Sequence, residues 1–263
     1  MDARTIEALA DRLIAAQESG EPVEVLTLDH PDMRAEDGYR VQLAIAAKKV
    51  ARGDRVVGKK IGLTSRANQE VFGVHEPVCG QIMGQGVYPE GTPVNTASLI
   101  QPIIECEITF VMGRRIEGPG VTVPQVLRST EGIMPSLELG DSRMRDWIGR
   151  AKVADILADS CGTAGIIVGG ELHSVRNFDM RYTGMVVEKN GDIIATGAAG
   201  AVMGNPAQAI AWLANKLAEF DLAIEEGDMV LAGALTGAVR MASGDVLKAT
   251  FGGGLGPVGV SFA

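Results

Sequence analysis

The segment IIECEITF, residues 103–110, carries Glu105 and Glu107 one residue apart in a run that is otherwise apolar or β-prone. On a strand, residues i and i+2 share a face roughly 6.5–7 Å apart along the chain, so both carboxylates address one spot while Cys106 points away. Unpartnered carboxylates under a sheet repel each other and each bears a desolvation cost of several kcal/mol, so they require water, basic partners or a cation. A solvent-facing strand would satisfy them with water alone. A second β-like run, IMPSLELGDSR, sets Glu138 between Leu137 and Leu139, which brings the number of carboxylates on β segments to three. An all-oxygen set suits a hard cation, Mg²⁺ or Mn²⁺ rather than Zn²⁺, with positions left open for an oxygen-rich substrate to chelate.

GKKIGLTS adds Lys59 and Lys60, of which strand alternation lets only one face inward; Lys60 is preferred. A lysine beside a metal-bound acid can hold a substrate carboxylate, or move protons if burial and the cation depress its pKa. A surface lysine on an edge strand is the other reading of the same residue.

These residues have to be positioned by elements the sequence also announces. Ile6, Leu9 and Leu13 keep one face, and Val41, Ala44 and Ile45 repeat the helical spacing, so residues 1–55 read as an N-terminal helical segment. From residue 56 short β-prone runs alternate with Gly and Pro, and residues 56–263 read as a β-rich catalytic domain, the two forming one structural unit. Asn190-Gly191 between MVVEK and DIIAT supplies the two positive-φ positions of a type I′ hairpin turn. A long helix is expected over NPAQAIAWLANKLAEFD, with Pro206 near its start, and a shorter one over TVPQVLRSTE. GGGLGPVG at 252–259 lacks the Lys-Ser/Thr of a phosphate loop and precedes strand-like VSF, so it reads as a turn.

The totals narrow the partners. With 33 acidic against 24 basic residues, a formal charge of −9 and no basic block with interleaved aromatics, nucleic-acid binding has little support. No apolar run reaches the roughly 18 residues a membrane span needs. MDARTIEALADRLIAAQ is an acidic amphipathic helix rather than a signal sequence, so no membrane partner and a cytoplasmic location are expected. Cys79, Cys106 and Cys161 lack CxxC spacing and read as free thiols. His30, His75 and His173 are scattered, and none adjoins a nucleophile motif.

Taken in order, VVGKKIGLTS, FGVHEPVCGQI, IIECEITFV, GPGVT, PSLELGDSRMRDW and AWLANKLAEFD resemble the fumarylacetoacetate hydrolase superfamily, within it the 2-hydroxypenta-2,4-dienoate hydratase and 4-oxalocrotonate decarboxylase branch. The resemblance runs from about residue 36 to the C-terminus. It implies an α+β fold, a mixed β-sandwich or rolled β core with an N-terminal helical segment. It also implies a divalent metal held by Glu105, Glu107 and Glu138, and Lys60 as the acid/base or carboxylate-holding residue. Asp159 is carried over as a second catalytic residue, and Ser65, Val78, Ser160 and Thr236 as substrate-binding positions. The implied activity is addition of water to a 2-hydroxy-2,4-dienoate to give a 4-hydroxy-2-oxo acid in an aromatic meta-cleavage pathway. Homo-oligomers are usual in that branch, and a complex with a pathway enzyme is left open.

Two departures keep alternatives open. The hydratases usually read Pro-Asp-aromatic-Gly where this chain has Pro77-Val78-Cys79-Gly80, whereas the decarboxylases carry an apolar residue there, which makes 4-oxalocrotonate decarboxylation the alternative. Further on, ILADSCGTAG keeps Asp155 and Asp159 but puts Ser160 where the family has Asn, and the substrate's length stays open between mono- and dicarboxylic acids. From a different class, a non-catalytic member could bind a 2-oxo acid or serve as a partner subunit.

Overall fold

The stripe of Ile6, Leu9 and Leu13 forms the buried face of helix α1 (Ala3–Ser19), which Asp2 caps by accepting from Thr5 N at 2.8 Å and Gly20 ends in the left-handed region. A computed structural model describes residues 1–263, apart from the side chain of Asn177. Helices α2 (Leu26–Asp29) and α3 (Ala35–Ala51) complete the N-terminal segment, and α1 packs on α3. The β body begins at Val56.

Among the described residues twelve strands build two sheets. They are β1 (Val56–Gly62), β2 (Val78–Met83), β3 (Val87–Pro89), β4 (Ile103–Met112), β5 (Thr130–Gly140), β6 (Thr163–Val168), β7 (Gly184–Lys189), β8 (Asp192–Ala198), β9 (Met229–Leu231), β10 (Val239–Arg240), β11 (Val246–Phe251) and β12 (Gly256–Ser261). The larger sheet runs β2-β1-β9-β4-β5-β6-β3, with β10 continuing beside β4. It is mixed, because β1 pairs β9 and β3 pairs β6 in parallel. The second sheet runs β12-β11-β7-β8, and its β7–β8 hairpin turns at Asn190 and Gly191, with φ of 53° and 91° as a type I′ turn requires. GGGL closes the β11–β12 hairpin, the turn its glycines suggest.

The larger sheet rolls on itself. A Cβ on Gly80 of β2 would lie 2.4 Å from the Ser160 carbonyl oxygen, and one on Gly86 would lie 2.6 Å from that of Ala164. The closing edge can approach this tightly because it lacks side chains there. Register fills the interior: Leu231 lies beside both Lys60 and Thr109, Ile166 beside Glu138, and Ile82 beside Gly58. Leu231, Ile166 and Ile82 form an apolar plug on the same face as the charged residues. The opposite face, with Ile104, Cys106, Ile108, Phe110, Leu137 and Leu139, belongs to the main core with the helices and the second sheet. Each fully buried Leu, Ile or Phe there contributes about 1.5–3 kcal/mol.

Three further helices are α4 (Arg66–Val71), α5 (Val123–Ser129) and α6 (Val153–Ala158), the last packed on α3. The long helix expected over 205–221 is α7 (Pro206–Leu217), capped by Asn205 and burying Ile210, Leu213, Ala214 and Leu217. No helix is long and apolar enough to cross a membrane among the described residues.

Candidate metal centre

Strand β4 presents Glu105 and Glu107 to the interior, and antiparallel pairing sets Glu138 of β5 directly opposite Glu105. One carboxylate oxygen from each of the three lies within 4.8 Å of the others. Glu107 and Glu138 are buried and Glu105 is partly exposed. Lys60 joins them from β1, its Nζ 3.0 Å from Glu138 Oε1, and is 3% exposed. Lys59, on the other face, pairs with Asp228. Gly62 and Gly80, which share the face of Lys60, leave the ammonium room, and Val78 Cγ2 stands over Gly62.

The back of each buried carboxylate is held by a group that no sequence motif marks. Thr163 Oγ1 donates to Glu138 Oε1 at 2.7 Å, the oxygen that also meets Lys60. The Gly233 N–H, on the segment running along β4 after β9, donates to Glu107 Oε2 at 2.7 Å. Gly233 has φ of 126° and a Cβ there would strike Thr64 at 2.6 Å, so only glycine delivers this N–H without strain. Glu107 Oε1 and Glu138 Oε2 remain buried with no hydrogen-bond partner. Buried charged oxygens left bare are costly unless an ion completes them.

Charge gives the same answer. Three carboxylates and one ammonium sum to −3 + 1 = −2 in a buried site, the balance a divalent cation cancels. Without one, burial pushes the Glu105 carboxyl up to about 7, with Lys60 opposing and Glu138 adding. Burial, together with Glu138 and Glu105, drives Glu107 well above the usual carboxylate range. Burial alone would lower the Lys60 ammonium, but Glu138, Glu105 and Glu107 outweigh it and hold it above the ordinary lysine value. The residues present therefore fit a hard divalent cation held by Glu105, Glu107 and Glu138.

The remaining candidates lie at different distances from this cluster. Ser65 caps α4, accepting from Asn68 N at 3.2 Å, and borders a cleft of ≈ 540 Å³ with Thr64, Gln69, His75, Pro77 and Trp212. The cleft adjoins the cluster through Thr64, whose side chain abuts Gly233. Thr236 follows on the same segment, its Oγ1 buried and unpartnered. Ser160 packs its carbonyl on Gly80, the strand partner of Lys60. Asp159 stands apart: its oxygens accept from Arg143 Nε, Arg143 N and Ser142 Oγ, the last at 2.7 Å. The sequence offered no signal for Thr163 or the Gly233 N–H, since both act across long sequence separations.

Residues 57–262 match the family profile described as Fumarylacetoacetate (FAA) hydrolase C-terminal. The chain belongs to the fumarylacetoacetate hydrolase family. Among curated members, a 4-oxalocrotonate decarboxylase of Pseudomonas sp. (strain CF600) is 38% identical over 94% of this chain and 92% of its own length. A 2-hydroxypent-2,4-dienoate hydratase of Pseudomonas putida is 40% identical over 85% of this chain and 100% of its own. Among solved family structures, 4-oxalocrotonate decarboxylase from Pseudomonas putida G7, complexed with magnesium and adipate, superposes with a TM-score of 0.97 at 34% identity, covering 100% of this chain and 99% of that one.

Proposed function

We propose that this chain is a divalent-metal-dependent hydratase that adds water to a 2-hydroxy-2,4-dienoate, giving a 4-hydroxy-2-oxo acid in an aromatic meta-cleavage pathway. The observation that carries the reading is the pair of bare buried oxygens, Glu107 Oε1 and Glu138 Oε2, in a site of net charge −2 beside Lys60. In this proposal Glu105, Glu107 and Glu138 hold Mg²⁺, with Mn²⁺ as its substitute. The bound cation supplies Lewis-acid stabilisation of negative charge developing on the oxygens of a 2-oxo acid.

The chain's own groups do the rest. Lys60, buried and protonated, is the group that delivers a proton to the terminal dienol carbon on ketonisation, and the proton given up by the 2-hydroxyl restores its ammonium. The Ile82–Ile166–Leu231 plug behind the cluster excludes bulk water, so water reaches the distal alkene carbon from the cleft beside Ser65. Thr236, with its unpartnered hydroxyl, is a hydrogen-bond donor for the substrate's oxygen end, and Ser160 borders the Lys60 strand. The reading includes a homo-oligomer and leaves a complex with a pathway enzyme open. Exposed Ile193, Ile194 and Val246 on the second sheet support an interface between copies of the chain, which sedimentation velocity of the purified chain measures.

One observation favours decarboxylation of 4-oxalocrotonate as a second reading. Val78, 3% exposed over Gly62, leaves the Lys60 face without a carboxyl at the position where hydratases carry one. The deciding experiment offers the Mg²⁺-loaded protein freshly generated 2-hydroxypenta-2,4-dienoate and, separately, 2-oxohex-3-enedioate, with products identified by mass. A water-added product without CO₂ supports the hydratase, and CO₂ release without hydration replaces it with the decarboxylase. Metal binding with turnover of neither leaves a 2-oxo-acid-binding protein.

A further inference from the structure

We infer that Arg143 and Asp159 are positioning residues that aim the Glu138 carboxylate at its cation by clamping the turn that carries Thr163; the inference rests on the metal site of the proposed function. Ser160, Cys161 and Gly162 follow one another in the left-handed region, with φ of 50°, 56° and 76°. Two non-glycine residues in succession there are disfavoured, and such a turn persists only where its surroundings hold it.

Arg143 holds it from both ends. Its Nη2 donates to the Asp159 carbonyl before the turn, and its Nη1 donates to the Thr163 carbonyl after it at 3.0 Å. Nη1 also reaches the Asp141 carbonyl at 3.0 Å, and the Asp141 N–H donates to the Gly162 carbonyl at 2.6 Å. Asp159, 1% exposed, fixes the guanidinium through Nε and is itself held by Ser142 Oγ. The clamped turn then delivers Thr163 Oγ1 to Glu138 Oε1 at 2.7 Å and leaves Oε2 bare, while the Ser160 carbonyl packs on the strand partner of Lys60. With both carboxylate oxygens engaged, Asp159 acts through this chain of contacts and not on substrate. Lysine at 143 would keep the charge but could not bracket two carbonyls and a carboxylate with one planar fork.

The test is a double-mutant cycle read by Mn²⁺ binding, measured by calorimetry on the purified full chain, with folding checked by circular dichroism. Arg143→Lys and Thr163→Val are each expected to weaken Mn²⁺ roughly tenfold or more, the range seen when groups supporting metal ligands are removed. Because the first acts through the second, the double variant should bind no more weakly than the weaker single. Thr163→Ser, which keeps the hydroxyl, should restore binding. If Arg143→Lys does not fold, Ser142→Ala takes its place in the same cycle. Losses that multiply in the double variant, or an Arg143→Lys or Ser142→Ala protein that binds Mn²⁺ like the parent, would overturn the inference alone. A parent that binds Mn²⁺ but turns over neither acid refutes the proposed function and leaves the inference intact; a parent that binds no Mn²⁺ overturns both.

Discussion

Replacing Glu105 with Gln should make the metal-free protein more stable and the metal-loaded protein less so. The Glu105 carboxyl sits at about 7 in the fold against a usual value of 4.5, because burial disfavours its charge and Glu138 adds repulsion that Lys60 only partly offsets. Between those two values the native state binds more protons than the unfolded chain, so the stability this group supports falls as pH rises from about 4.5 to about 7. The gap corresponds to about 3 kcal/mol at 1.36 kcal/mol per pH unit, and the partial exposure of Glu105 trims it to about 2 kcal/mol. Glutamine keeps the shape without the charge. At pH 8 in EDTA the variant should therefore melt roughly 4–8 °C higher than the parent, and the advantage should vanish as pH approaches about 4.5. Saturating Mn²⁺ should reverse the order, since the parent gains about 4 kcal/mol at a thousand times its dissociation constant while the amide supplies no charge to the ion. Differential scanning fluorimetry across pH, with and without metal, reads all of this. A variant less stable than the parent in EDTA at pH 8, or one that gains as much from Mn²⁺ as the parent does, would refute the charge argument.

Three further outcomes are expected. Lys60→Met should lower kcat by roughly 10²–10⁴-fold while leaving Mn²⁺ binding at least as tight, because the lost ammonium competes with the ion for Glu138; steady-state kinetics alongside calorimetry separates the two effects. Gly233→Ala, whose Cβ would sit 2.6 Å from Thr64 at a φ of 126°, should cost roughly 1–3 kcal/mol in thermal melts and weaken Mn²⁺ as the N–H leaves Glu107. Mn²⁺ affinity of the parent should climb as pH rises through about 7, where Glu105 gives up its proton, and a flat profile between pH 6 and 8 would contradict the raised Glu105.

The parts of this site that the sequence made legible are those governed by short-range periodicity. Strand alternation sets Glu105 and Glu107 on one side of β4 whatever the fold, and the same rule separates Lys59, paired with Asp228 outside, from Lys60 inside. The helices α1, α5 and α7 were likewise written in apolar spacing and caps, and the Asn190-Gly191 hairpin in its turn residues. Alternation alone could not say which lysine is inside, because that depends on which way the sheet rolls. Nor could it say that Glu138 falls opposite Glu105, because that register is fixed by how β4 and β5 meet across the intervening α5. The resemblance supplied Asp159 as a catalytic group, and residue type alone could not reveal that Arg143 and Ser142 occupy both of its oxygens.

What the sequence concealed decides how the site works. A carboxylate becomes a directed ligand only when one oxygen is held and the other is left free, and the holding groups here are a threonine hydroxyl and a backbone N–H. Thr163 lies 25 residues from Glu138, and Gly233 lies 126 residues from Glu107. Neither donor has a distinctive side-chain chemistry to betray it, and each is delivered by a conformation with positive φ: the Ser160–Gly162 turn in one case, Gly233 itself in the other. The three acids therefore account for the site's charge, while the strained backbone beside them determines which oxygens are held and leaves Glu107 Oε1 and Glu138 Oε2 free. On this argument, variants of Thr163 and Gly233 should weaken metal binding although all three carboxylates and the Lys60 ammonium are kept, so loss of affinity in them traces to the groups that hold the carboxylates and not to the number of charged residues.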